Sequence, residues 1–456
     1  MGGDSTAVRL QLEHPDVDFL HLGPQSMSAL HCAAWEGHEA VCSLLVQDQR
    51  FMAASNLDSA AVIVDMGLMA FRRLTPLHLA VDVGHVLVVR ALLQSPSFAP
   101  FVNAFAEEAP AEISAASVPS RWSALHLAVH RGHTSITECL LRSETLSEGT
   151  INSVISHGRT ALHMACSAGN EAVVQMLLDE QRFTAVNARA GQFHHAYHLY
   201  GFTALTLAVW RGHHDGIARL LLRHHRFHAL DAPLVARGPE AQRAARFFGL
   251  DALQLMASHG MDDCVQLYLD AHAREKPGVA PRLGAFYFAA RQGHEAILRT
   301  MAAHPAVDTA AEAAYEHNDS IRKGHASNAL HAACWQGHVP IVQYILGLPG
   351  VEGAINATIG KDKTSVLHTA IVKHRKDIAV CLLQSDRFWA VNLVDCAGHT
   401  ALHVACESRL EDIAIEIARH PRFVHHHLRC SSSGKTALMM AKEWELDSLV
   451  DVLSQV

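Results

Sequence analysis

Apolar positions along this chain follow a two-part pattern that recurs eleven times. The first part is a Leu among small residues, as in Ser28-Ala29-Leu30-His31-Cys32-Ala33-Ala34, closed by Gly37-His38. The second is a mostly apolar stretch ending in a pair such as Leu44-Leu45, Leu92-Leu93, Leu140-Leu141, Leu177-Leu178 or Leu382-Leu383. Such patterning predicts two short helices, each burying one face. Ser or Thr before the first can cap orphan amide donors. Gly after it is free to take the left-handed conformation that ends a helix. The small residues between let a second helix approach closely. The predicted unit is helix–turn–helix followed by an extended connection.

The first-part phrase reads SALHCAAWEGH at Ser28–His38, TPLHLAVDVGH at Thr75–His85 and SALHLAVHRGH at Ser123–His133. It returns as TALHMACSAGN at Thr160–Asn170, TALTLAVWRGH at Thr203–His213 and NALHAACWQGH at Asn328–His338. SVLHTAIVKHR at Ser365–Arg375, TALHVACESRL at Thr400–Leu410 and TALMMAKEWEL at Thr436–Leu446 follow. Two weaker copies are adjacent: GLDALQLMASHGM at Gly249–Met261, with Gln254 for His, and LGAFYFAARQGH at Leu283–His294, with Phe286-Tyr287. Recurrence at this period means a stacked array.

On T-A/P-L-H-x-A-x-x-x-G-H the chain resembles the ankyrin repeat family, over nearly its whole length. The resemblance implies an all-α solenoid of helix-turn-helix units with hairpin-like finger loops. It departs from the family after the second helix, where Arg50-Phe51, Arg182-Phe183, Arg226-Phe227, Arg387-Phe388 and Arg422-Phe423 stand in place of Gly-Ala-Asp. Val186-Asn187, Ile355-Asn356 and Val391-Asn392 match the family's strand-like ending.

Spacing locates the variable parts. Leu30 to Phe51, Leu162 to Phe183, Leu367 to Phe388 and Leu402 to Phe423 are each 21 residues. From there to the next repeat Leu the gap runs from 27 residues after Phe98 to 14 after Phe388. The insertions therefore belong to the fingers. The finger at 52–73 is apolar, with Ala60-Ala61-Val62-Ile63-Val64, Leu68, Met69 and Phe71, and is expected to contact a neighbouring repeat or a partner.

The expected organisation is a half-repeat cap at 1–26, repeats 1–5 at 27–248, degenerate repeats 6–7 at 249–326 as a hinge candidate, and repeats 8–11 with a C-terminal cap at 327–456. Weak units are where a nearest-neighbour array loses cooperativity.

Composition changes little of this. The chain has 456 residues, 49% hydrophobic and 18% charged, with a formal charge of −8. No basic run argues for nucleic acid, and no stretch suits membrane insertion. The ten cysteines form no C-x-x-C pair. Cys166, Cys334 and Cys406 occupy small-residue positions in the phrase, so a reducing, intracellular place is expected, first the cytoplasm and second the nucleus.

Histidine is abundant, at 35, and thirteen of these belong to the Leu-His or Gly-His pairs. His194-His195-His198 and His224-His225-His228 share H-H-x-x-H, which on a helix would put two ligands on one face. Neither carries the Glu of a catalytic zinc helix, and surface histidine bias is the preferred account, with no metal site. Ser433-Gly434-Lys435-Thr436 resembles the end of a phosphate loop, but the earlier Gly would fall at Arg429. No nucleophile elbow is present. Neither an enzyme nor a cofactor is expected.

In the ankyrin family, the residues five and six after the repeat Leu are the usual partner contacts. The resemblance puts Trp35, Glu36, Asp82, His130, Arg131, Trp210, Arg211, Arg291, Gln292, Trp335, Gln336, Lys373 and Glu407 in that role. Trp and Arg dominate interface hot spots. The competing account packs each Trp on a neighbouring finger. The expected function is a monomeric, non-catalytic scaffold or adaptor whose partner is another protein. The alternative is a histidine-dependent pH or metal sensor on the same solenoid.

Overall fold

Among the described residues, five first helices open on a reciprocal Ser/Thr–His cap. Ser28 Oγ accepts the His31 amide at 3.5 Å, while His31 Nδ1 accepts the Ser28 amide at 3.3 Å. Thr75/His78, Ser123/His126, Thr160/His163 and Thr400/His403 repeat the arrangement. This is a capping box with His in the Glu position. The helix then stops on a left-handed residue, Gly37 at φ 80° in the first repeat. A Cβ there would come within 2.7 Å of the His85 ring. Later repeats place His374, Arg409 and Glu445 at φ 54–55° instead. That conformation costs a non-glycine residue about 1 kcal/mol.

The computed structural model describes the chain except for residues 1–2, 15, 19–21, 23–26, 55–56, 58–62, 66–69, 109–119, 195–196, 211–214, 231–234, 238–249, 319–325 and 456. Among the described residues it is an all-α repeat fold of 28 α-helices with short strands confined to the fingers. It divides into two units, Met1–Ala229 and Leu230–Val456.

In the first unit the first helices Ala29–Glu36, Pro76–Val83, Ala124–Arg131, Ala161–Ala168 and Ala204–Trp210 pack side by side. The second helices Glu39–Gln47, Val86–Gln94, Thr134–Arg142, Glu171–Asp179 and Asp215–Arg223 form a second layer. The core lies between the layers, where Leu30, Leu77, Leu125, Leu162 and Leu205 are fully buried. The N-terminal helix Ser5–Glu13, capped by Asp4, packs on Glu39–Gln47 as a second helix would.

The second unit repeats the two layers. Its first helices are Ala252–His259, Ala285–Gln292, Ala329–Gln336, Val366–Val372, Ala401–Glu407 and Ala437–Glu443. The helices of degenerate repeats 6 and 7 pack on one another and on repeat 8. Hydrogen exchange tests whether this stretch opens first. We expect faster exchange across 250–326 than in the flanking helices; uniform protection would remove the hinge.

The fingers follow the linker lengths. Strands β1 (Ile63–Asp65) and β2 (Ala70–Arg72) join β3 (Phe105–Glu108) and β4 (Arg121–Ser123) in one antiparallel sheet, in that order. Phe71 pairs with Glu108, and its buried ring meets Trp122 edge-on at 5.5 Å. The apolar finger thus lies against its neighbour, although residues 60–62 and 68–69 fall outside the described set. After Phe388 and Phe423 only single bridges fit, Val394 to Thr400 and Arg429 to Thr436.

Candidate functional site

The row of residues at the ends of the first helices depends on how the repeats are held in register, and that is done by side chains bonding to main chain. His31 Nε2 donates forward to Leu74 O of the next repeat at 2.9 Å. His163 reaches Phe202 O at 3.2 Å, His368 reaches His399 O at 3.1 Å and His403 reaches Leu428 O at 3.1 Å. The Gly-His histidines bond backward: His85 Nε2 to Trp35 O at 3.0 Å and His338 Nε2 to Arg291 O at 3.3 Å. His126 Nε2 lies beside the Ser153 carbonyl without completing a hydrogen bond. At repeat 8 Asn328 is the cap. Its Nδ2 donates to Ala354 O, which turns Oδ1 toward His331 at 2.8 Å, so His331 carries its proton on Nδ1.

The Arg-Phe pairs are a second connector. Arg182 donates to the Ser143 and Leu146 carbonyls at 3.0 Å and to Leu141 O, all at the end of the preceding second helix. Glu180 holds its Nε at 3.0 Å. Arg226, Arg387 and Arg422 bond preceding-repeat carbonyls in the same way. Phe183, Phe227, Phe388 and Phe423 beside them are buried. Asn completes the set: Asn356 Nδ2 donates to Arg387 O at 2.9 Å, and its Oδ1 accepts from Trp389 and Ala390. Cations suit these carbonyls because helix C-termini carry partial negative charge. Replacing Arg182 with Met should therefore cost about 1–3 kcal/mol, read as a lowered urea midpoint.

The degenerate repeats keep the function of the missing histidines by other means. Gln254 Oε1 accepts the Asp251 amide at 3.1 Å, and its Nε2 donates to Leu283 O at 2.7 Å. Both bonds of the histidine are reproduced. At repeat 7, Glu312 from the following finger accepts the Gly284 and Phe286 amides at 2.8 and 3.3 Å. Burial raises the Glu312 carboxyl to about 7, with Asp251 contributing in the same direction.

The row itself is uneven. Trp35 is half-buried and Glu36 exposed. Asp82 and Arg131 join neighbouring repeats by an ion pair of 2.6 Å. The His130 ring stands edge-on to Trp122 at 5.3 Å, and burial first, then Arg131, lowers its pKa. Trp210 meets Phe202 of its own finger edge-on at 5.3 Å, rather than a neighbouring finger. Arg211 lies outside the described residues. Arg291 is half-buried; Gln292 and Gln336 are exposed. Trp335 is 40% exposed, with Lys373 Nζ 3.4 Å from its ring centroid. Glu407 is exposed, 3.7 Å from His399 Nε2. Trp444, held under Arg409 at 4.7 Å, extends the row into the last repeat and was not singled out by the phrase.

The other candidate chemistry disperses. The runs at His194 and His224 are not helical: Ala190–His194 and Tyr197–Phe202 are strands, and Asp215–Arg223 ends just before His224. The shared helical face that a metal pair needs is not formed, and His195 lies outside the described residues. Among the described residues no cluster of three metal-ligating side chains occurs. Burial pushes the Cys334 and Cys406 thiols up to about 12, which leaves them without thiolate character.

Stacked helix pairs joined by finger hairpins, with side chains tying each repeat to its neighbours' carbonyls, define a repeat-array protein. Family models of ankyrin repeats in three-copy arrays match residues 1–104, 98–189, 158–231, 253–357 and 330–424. The chain belongs to the ankyrin repeat family, whose repeats mediate protein–protein interaction. No described helix is long and apolar enough to cross a membrane.

Proposed function

We propose that this protein is a non-catalytic scaffold or adaptor that binds a partner protein along the row at the first-helix ends. The observation that carries the reading is Trp335, a large aromatic 40% exposed at a position where the connectors hold it in fixed register. The other proposed contacts are Trp35, Glu36, Asp82, His130, Arg131, Trp210 and Arg211 in the first unit, and Arg291, Gln292, Gln336, Lys373 and Glu407 in the second. Truncating a buried interface anchor costs about 2 kcal/mol or more, roughly thirty-fold in affinity. Partners recovered by affinity purification would be titrated against wild type and Trp335→Ala. A loss of that size supports the reading. Affinity within about twofold for Trp35→Ala, Trp210→Ala and Trp335→Ala alike, each folded, would sink it.

The histidine-sensor alternative has weaker support. His31, His126 and His163 are pushed down to about 4 and His331 to about 3 by burial. They would titrate in the folded state below the range near neutrality where a sensor works.

A further inference from the structure

We propose that the row on the Leu230–Val456 unit seats an acidic peptide segment of the partner, a deepening of the protein-binding reading above. From repeat 7 to repeat 10 the row carries Arg291 and Lys373, and the turns that follow the first helices add Arg375 and Arg409. None of the four has an ion-pair partner among the described residues. Lys373 is held over the Trp335 ring at 3.4 Å and Arg409 over Trp444 at 4.7 Å. Arg375 is anchored through Gln336 O at 3.1 Å. These contacts fix where the charges sit without neutralising them, because aromatic faces and carbonyls carry no net charge.

Of the acids at this surface, one is paired, one stands at its end and one, Glu407, remains exposed. Glu407 lies by His399, Glu443 is bonded to Lys435, and Glu445 lies beyond Trp444. The corresponding row on the first unit differs, with Glu36 exposed and Asp82 paired to Arg131. Apolar surface is interleaved with the second unit's cations: Val372, next to Lys373 in the chain, is 53% exposed and Trp335 is 40% exposed. An extended peptide alternating carboxylates with apolar side chains matches both features. Nucleic acid matches less well. Its affinity comes from many phosphate contacts, and here a handful of cations sits in a chain of formal charge −8.

The test uses the full chain and fluorescein-labelled peptides of alternating Glu and Leu, or alternating Lys and Leu, with an oligothymidine of similar length, read by anisotropy. The Glu peptide should bind, and binding should weaken as salt rises. Lys373→Glu combined with Arg409→Glu should weaken it about tenfold or more, and the milder Lys373→Gln by less. Lys376→Glu, on the second helix and already paired with Asp412 at 3.1 Å, should leave it unchanged. The proposal is overturned if the Glu peptide fails to bind, if the Lys peptide or oligothymidine binds as tightly, or if removing the charges at 373 and 409 has no effect in folded protein. A partner that depends on Trp335 while the Glu peptide fails would remove the acidic preference and leave the protein-binding reading standing.

Discussion

Acidification from about pH 7.5 to about pH 5 should unfold the Met1–Ala229 unit before the Leu230–Val456 unit. His31, His126 and His163 in the first unit have folded pKa values of about 4, below the unfolded value near 6.5. Their contribution is complete above pH 6.5 and is lost as pH falls toward 4, because the unfolded chain takes up protons that the fold excludes. Each costs roughly 1.4 kcal/mol per pH unit across that window. The physical cause is visible at His163: Nδ1 accepts the Thr160 amide, and a proton there would face that N–H.

The second unit has an opposing group. His331 is lowered to about 3 and burial also lowers His368 and His403, but Glu312 is raised to about 7. A carboxyl held protonated by the fold favours folding increasingly as pH drops from 7 toward its unfolded range. Glu312 offsets part of the histidine loss in this unit. Denaturant midpoints from each unit, separated by hydrogen exchange, are the measurement, and flat or rising midpoints for the first unit would refute the account. His163→Gln should hold stability at neutral pH and reduce the acid loss, since Gln254 already makes both bonds in repeat 6.

The second large effect is steric. Phe183→Ala is expected to cost about 3–5 kcal/mol, the range for emptying a buried aromatic site. Phe183 is fully buried, and Arg182 beside it is tied to three carbonyls of the preceding repeat, so the surrounding chain has little freedom to collapse into the space. Trp389, one residue after the equivalent Phe388, is 57% exposed, and Trp389→Ala should stay within about 0.5 kcal/mol. Urea unfolding with an unchanged slope reads both. Equal costs at the two positions would contradict the burial pattern.

Much of this fold was legible because periodic Leu, Gly and Ser/Thr positions have local meaning: a core contact, a left-handed stop and a cap. The Arg-Phe pairs were visible only as departures, since an arginine's carbonyl partners lie 36 to 41 residues earlier for Arg182 and no local pattern reports them. Repeats 6 and 7 read as weak because they lack His. Gln254 has the same donor and acceptor reach, and Glu312 caps from another segment 28 residues away. Of the three repeat-position tryptophans, packing on Phe202 sets Trp210 apart, a contact the finger sequence could have suggested. Exposure at Trp335 depends on what each neighbour leaves uncovered, which spacing alone does not reveal.

The connectors at His31, Arg182 and Asn356 all end on main-chain groups of an adjacent repeat, which every residue type except proline's missing N–H supplies alike. At these joints a repeat does not need to recognise its neighbour's side chains, unlike the Asp82–Arg131 pair. Whole repeats can be duplicated, deleted or exchanged between positions with the joint still made, while the outward-facing residues diverge freely. An array built this way can change length and specificity by recombination, without a matched substitution on the other side of each such seam.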